Sequence, residues 1–247
     1  MRLDLLLVDR GLAPSRARAQ AEIKAGRVKV RGVVAAKPSQ EFDPDTDITL
    51  DEPAIPYVSR AGLKLAHALD QFGIPSRDKV VLDIGASTGG FTDVVLTRGA
   101  RRVYAVDVGR DQLSEKFRTD DRVISLEGQD ARTLTAEQIA EPVDLIVCDV
   151  SFISATKVLP HACTFASTPA RLVVLVKPQF EVGREAIGKG GIVKDQDARQ
   201  SSIETVSAAI TAMPGWTITG CVESPIAGGS GNVEFLLGAR LDEKNHG

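Results

Sequence analysis

The sequence predicts an α/β fold in two parts, a small α+β module at the N-terminus followed by a larger, mostly parallel sheet covered by helices. Three observations predict it. Val-rich apolar runs of strand length at residues 80–84, 102–106, 143–148 and 171–176 are separated by segments long enough for helices, the pattern of repeated strand–helix–strand units. A glycine-rich turn follows the first run directly, in VVLDIGASTGGF at residues 80–91. The first 40 residues carry nine Lys or Arg against three acids, Asp4, Asp9 and Glu22, although the whole chain has a net charge of −3. Basic charge is therefore concentrated at one end of an otherwise acidic chain, and 247 residues accommodate one small and one medium domain.

Composition narrows the class. Hydrophobic residues at 43% and charged residues at 26% give a globular balance that excludes wholesale disorder, and aromatics at 4% predict an aliphatic core. Cys148, Cys163 and Cys221 are isolated and odd in number, which argues against a zinc site or a disulfide framework and for a reducing compartment. His67, His161 and His246 form no cluster, so no metal is expected. Charges at Arg2, Asp4, Asp9 and Arg10 argue against a signal peptide, and no apolar run approaches the roughly 18 residues that span a bilayer. A soluble, unprocessed, cytoplasmic protein with no membrane partner is the expectation.

In chain order, residues 2–10 read as a short helix with Leu3, Leu6 and Leu7 on one side, stopped by Gly11. Ser15 sits where an N-cap would start a second helix ending near Gly26. Val28–Val30 and Val33–Ala35 flank the tight-turn pair Arg31-Gly32, and Ile48–Leu50 offers a third strand before a break at Pro53 and Pro56. Ser59 is positioned to cap a helix with Leu65, Leu69 and Phe72 on one face, ended by Gly73 and Pro75. After the four Val-rich runs, Trp216–Val222 and Asn232–Leu237, joined by SPIAGGSG, complete the sheet.

The turn after the first run is no dinucleotide fingerprint. Where G-x-G-x-x-G needs a second glycine, this chain has Ser87, and Asp83 at the strand end would repel a pyrophosphate but could receive an amino group. Asp107 ends the second run, 24 residues beyond Asp83, where a carboxylate can accept hydrogen bonds from both ribose hydroxyls of an adenosine. Asp130, in GQDAR, ends the next strand and is suited to the adenine amino group. Each acid taken alone is more simply a helix cap or a solvated loop end. Three at successive strand ends point to S-adenosyl-L-methionine rather than a nicotinamide cofactor. The expected cofactor residues are Asp83, Gly85, Ala86, Ser87, Thr88, Gly89, Gly90 and Phe91, then Asp107 with Val108 and Asp130 with Ala131.

These residues carry a family resemblance over nearly the whole chain. LAPSRARAQAEIKAGRVKVRG resembles the S4-like RNA-binding domain, and SRAGLKL, DIGASTGGFTD, DVSFIS, VKPQFEVG, KGGIVKD and SGNVEFLL together resemble the TlyA family. Those bacterial proteins carry a hemolysin label and are associated with 2′-O-methylation of cytidines in ribosomal RNA by an FtsJ-like catalytic domain. The resemblance implies an S4-like domain over residues 1–53, a linker over 54–59 and a Rossmann-like S-adenosylmethionine-dependent methyltransferase domain over 60–247. It also implies a Lys-Asp-Lys-Glu catalytic tetrad, which maps onto Lys64, Asp149, Lys177 and Glu234.

The chemistry suits those residue types. A ribose hydroxyl must be held in line with the methyl group and relieved of its proton, and much of the rate comes from positioning. Lys177, directly after LVVLV, is placed to stabilise alkoxide charge as an ammonium or, as a neutral amine, to take the proton; both roles stay open. Asp149 and Glu234 would hold the lysine heads, and Lys64 would orient Asp149 or a substrate phosphate. Glu234 reads as a lone acid inside an apolar strand, which needs a partner or an exposed face.

Arg16, Arg18, Lys24, Arg27, Lys29 and Arg31 would line a helix and the strand after it as a strip for folded RNA, extended by Arg60, with ribosomal RNA or ribosomal subunits as the partner. The loop EVGREAIGKGGIVKDQDAR is open between a segment ordered over substrate and a plain surface connection. Two rival readings are a non-enzymatic RNA-binding factor, which retention of all four tetrad residues disfavours, and a membrane-active hemolysin, which lacks an insertion segment.

Overall fold

The structure is a computed structural model describing residues 1–50, 55–229 and 231–242. The expected break at Pro53, Ser230 of the SPIAGGSG loop and His246 lie outside the described residues. The chain divides into two compact units, Met1–Val58 and Ser59–Gly247.

In the first unit, helices α1 (Leu3–Asp9) and α2 (Arg16–Lys24) pack beside a small antiparallel sheet in the order β2-β1-β3, built from β1 (Val28–Val30), β2 (Val33–Val34) and β3 (Ile48–Leu50). The spacing of Leu3, Leu6 and Leu7 buries all three against Ile23, Val28 and Val30. Ser15 caps α2 by accepting a hydrogen bond from the Arg18 amide at 3.3 Å. Val30 pairs with Val33, so Arg31 and Gly32 form a two-residue hairpin loop, and their φ angles of 51° and 78° are the positive values that such a loop needs.

The second unit holds α3 (Ala61–Gln71), β4 (Val80–Ile84), α4 (Gly90–Thr97), β5 (Arg102–Asp107), α5 (Glu115–Arg118), β6 (Val123–Glu127), β7 (Val143–Cys148), α6 (Leu159–Ala162), β8 (Ala166–Val176), α7 (Pro178–Glu181), α8 (Gln196–Thr211), β9 (Trp216–Glu223) and β10 (Phe235–Leu241). Its seven strands run β6-β5-β4-β7-β8-β10-β9. The first five are parallel, and β10 and β9 close the sheet antiparallel. The chain builds outward from β4 to β6, then returns to the other side of β4 with β7, which leaves a crevice at the carboxyl ends of β4 and β7. The central strands are buried on both faces, as their near-continuous apolar runs require.

Three expectations are corrected. Ser59 does not cap α3; Arg60 holds that position with no side-chain bond, and the Ser59 carbonyl instead accepts from the Gly62 amide at 3.1 Å in a tight turn. β8 begins at Ala166, ahead of the apolar run. The last strand begins at Phe235 and not at Asn232, because the backbone just before it is spent on a turn, with Gly228 donating to the Asn232 carbonyl at 2.9 Å. Glu234 therefore precedes the strand and is buried there.

Candidate active site

A cleft of about 630 Å³ opens at the crevice between the ends of β4 and β7. The Gly85 to Gly89 turn forms one wall. Gly85 (φ 81°), Ser87 (φ 47°) and Gly89 (φ 93°) all take left-handed conformations, so the chain reverses sharply before α4. Gly85 admits no side chain, since a Cβ there would lie 2.5 Å from the Asp149 carbonyl oxygen. The Asp107 carboxylate braces the turn, accepting from the Ser87 amide at 2.8 Å and the Gly109 amide at 2.7 Å.

Of the cofactor residues expected from sequence, Gly85, Ser87, Asp107, Val108, Asp130 and Ala131 line this cleft. Asp83, Ala86, Gly89, Gly90 and Phe91 are buried and do not, and neither does Thr88, which is exposed elsewhere on the turn. Phe91 is a core residue and Gly90 lies against the Ser59 hydroxyl. Asp83 is fully buried beneath the turn. Its Oδ2 accepts from the Thr92 hydroxyl at 2.6 Å and its Oδ1 is buried with no hydrogen-bond partner. Burial pushes this carboxyl up to about 7, against the opposing pull of Thr92. Asp130 caps a short turn by accepting from the Arg132 amide at 2.9 Å, and its hydrogen bonds with the Arg132 guanidinium hold it below the usual carboxylate range. Its simplest reading, a cap, is thus realised alongside its position in the cleft.

Two ion pairs, one buried and one partly buried, hold the four expected catalytic residues. Lys177 Nζ lies 2.6 Å from Asp149 Oδ1 and donates to the Ser151 hydroxyl at 2.7 Å. Asp149 lines the cleft, and its amide donates to the Ile84 carbonyl at 2.8 Å, which fixes it next to Gly85. Lys64 Nζ donates to Glu234 Oε2 at 2.5 Å, so Lys64 pairs with Glu234 and not with Asp149. The two pairs are neighbours by register: Phe235 pairs with Val176 in antiparallel strands, which sets Glu234 across from Lys177.

Sequence reasoning missed Ser151, Phe152, Gly109, Gln112 and Gln129, all of which line the cleft. The DVSFIS motif contains the first two, but nothing in the sequence marks which of its side chains faces the site. Phe152 is 92% exposed at φ 64°, an unusual conformation and an unusual exposure for a bulky aromatic residue.

Part of the expected RNA strip is engaged in ion pairs within the first unit. Buried Asp4 takes Arg16 at 2.9 Å, and buried Glu22 takes Arg18 at 2.6 Å together with Arg27. These three arginines neutralise acids inside their own fold before they offer charge to a ligand. Lys24 and Arg31 are exposed and Lys29 is half-buried, while Arg60 is exposed at the start of α3 in the second unit.

A parallel sheet with a cleft at its switch point, a glycine turn after the first strand of that sheet and an acid at the end of the next are shared by Rossmann-type nucleotide-binding folds, and the match to the FtsJ-like methyltransferase model makes this one an S-adenosylmethionine-dependent methyltransferase. The comparisons with known proteins give the rest. The chain belongs to the FtsJ-like methyltransferase family, which matches residues 57–241, and residues 1–48 match the S4 domain. Over 240 residues it is 46% identical to the 16S/23S rRNA (cytidine-2′-O)-methyltransferase TlyA of Mycobacterium tuberculosis, covering 97% of this chain and 89% of that one. It is 42% identical over 237 residues to Hemolysin A of Brachyspira hyodysenteriae, covering 96% and 98%. A solved hemolysin structure from Streptococcus thermophilus superposes with a TM-score of 0.77 at 41% identity, covering 98% of this chain and 89% of that one. The resemblance read from the motifs to the TlyA family holds.

The residues present fit the methyl donor. The cleft offers the Asp107 carboxylate to sugar hydroxyls, apolar Val106, Ala131 and Ile153 to a flat base, and close backbone approach at Gly85. The partnerless Asp83 oxygen lies beneath the turn, outside the lining of the cleft. Among the described residues no helix is long and apolar enough to cross a membrane, and no group of three or more His, Cys, Asp or Glu is arranged to hold a metal.

Proposed function

We propose that this chain transfers a methyl group from S-adenosylmethionine to the 2′-hydroxyl of a cytidine in ribosomal RNA, within ribosomal subunits in the cytoplasm. The observation that carries the reading is the Lys177 ammonium, fixed between Asp149 Oδ1 at 2.6 Å and the Ser151 hydroxyl at 2.7 Å, both of which line the donor cleft. When bound, S-adenosylmethionine supplies an electrophilic methyl on a sulfonium sulfur. Lys177 Nζ would donate a hydrogen bond to the attacking ribose oxygen and stabilise the negative charge that grows on it, as the hydroxyl proton passes to solvent water. Asp149 keeps that head oriented, and its backbone bond to Ile84 ties its position to the glycine turn. Lys64 and Glu234 form the second pair, whose buried, hydrogen-bonded state rigidifies the floor beneath Lys177. Asp107 holds the donor ribose and Asp130, with Ala131, the base edge.

The S4 domain at residues 1–48 supports docking on structured RNA, with Lys24, Lys29 and Arg31 as phosphate contacts and Arg60 as a further contact on the second unit. Exposed Phe152 offers a stacking face to a nucleobase at the cleft rim. Ribose-methylation mapping of ribosomal RNA from cells with and without the gene tests the proposal. A cytidine 2′-O-methyl group that disappears with the gene is expected; identical maps would refute the reading.

A further inference from the structure

Between Asp149 and Ala155 the chain leaves β7 in a loop that burial alone does not hold. Phe152 stands at φ 64° with 92% of its surface exposed, so both its backbone conformation and its ring are in unfavourable states. The loop is pinned on both sides of this residue. On one side, the Ser151 hydroxyl accepts from Lys177 Nζ at 2.7 Å. On the other, α7, the single turn that begins directly after Lys177, reaches back across the loop. Its Glu181 carboxylate accepts from the Ser154 hydroxyl at 2.5 Å and from the Ala155 amide at 2.8 Å. Ser154 in turn accepts from the Thr156 amide at 3.2 Å, which starts the next helical turn. The ring of Phe180, on the same turn as Glu181, lies 5.2 Å from that of Phe152 at an interplanar angle of 48°.

We infer that Glu181 is a positioning residue for methyl transfer: by gripping Ser154 and Ala155 it holds Ser151 and Phe152 in register with Lys177. The inference rests on the proposed reading of the site as a ribose methyltransferase. Its chemistry is that of a hydrogen-bond acceptor, not of a charge. Both of the groups it grips are neutral donors, and burial pushes its carboxyl above the ordinary range, as expected for an acid set here to accept hydrogen bonds. A glutamine can make the same two contacts, accepting from the Ala155 amide and donating to the Ser154 oxygen, whereas an alanine can make neither.

The test compares wild type, Glu181→Ala and Glu181→Gln by steady-state methyl transfer to ribosomal subunits, at a temperature where melting curves show all three folded, together with hydrogen exchange of the amides of residues 151–156. Glu181→Ala is expected to lose about 10- to 100-fold in kcat, the scale of a misaligned reacting group, with KM for RNA within threefold of wild type and faster exchange across the loop. Glu181→Gln is expected to recover kcat to within about threefold and to restore protection. Unchanged kcat in folded Glu181→Ala would overturn the inference, as would a Glu181→Gln variant as slow as the alanine variant. If wild type itself transfers no methyl group, the functional reading fails. Loop exchange equal in wild type and Glu181→Ala would then reject the grip itself, and faster exchange in the alanine variant would uphold it.

Discussion

Lys177 was legible in the sequence because it directly follows an apolar run, and the end of such a run in an open parallel sheet faces the crevice, whereas Asp149 was marked only by the family resemblance. Their partner Ser151 was not legible, since only the fold shows which side chain of DVSFIS meets the lysine head. Lys177→Ala should abolish transfer while leaving donor affinity near that of wild type, because the ammonium serves the acceptor oxygen. Calorimetric donor binding beside a transfer assay checks this. Asp83 teaches a different lesson: it was recognisable as an acid at a strand end, but its burial was not. Its folded-state value of about 7 exceeds the roughly 4 of an unfolded chain. Between those values the folded protein keeps a proton that the unfolded chain has released, so this residue lowers stability as pH rises from about 4 to about 7, after which the penalty is constant. Asp83→Asn, measured without donor, should therefore melt above wild type at pH 7.5 and close to it at pH 4. An equal gap at both pH values would argue against a protonated Asp83.

At the scale of elements, strand–turn–helix order was readable from Val-rich runs and glycines, whereas element ends were decided by tertiary contacts. Glu234 is the instructive case. The pattern set it inside a strand; the turn closed by Gly228 and Asn232 delays the strand to Phe235 and leaves Glu234 buried against Lys64. The glycine turn is the element on which the cleft depends. Gly85→Ala combines a positive φ with a Cβ 2.5 Å from backbone, so it should cost about 2 kcal/mol or more and weaken donor binding. Gly11→Ala, at φ 67° with nothing within 4 Å, should cost only about 1 kcal/mol. Thermal or denaturant melts of both variants check the contrast.

Over the whole molecule, the charge asymmetry pointed to a nucleic-acid partner, and the S4 match agrees with it. The count overstated the free charge, because pairing is a property of the fold: Asp4 and Glu22 are few, but they are buried and hold Arg16, Arg18 and Arg27. Glu22→Ala should accordingly lower the stability of the first unit by leaving two guanidinium groups without their carboxylate. Lys24→Ala should leave melting unchanged and reduce the salt slope of RNA binding by about one, measurable by filter binding across ionic strengths. The central claim concerns the other unit, where a donor cleft and a lysine fixed by two acceptors meet at the carboxyl ends of the central strands. It is tested most directly by transfer of a tritiated methyl group from S-adenosylmethionine to isolated ribosomal subunits, with wild type and Lys177→Ala side by side. Label on a cytidine 2′-oxygen with wild type, and none with the variant, is the predicted result. Equal label with both proteins, or label on a base instead of the ribose, would contradict it.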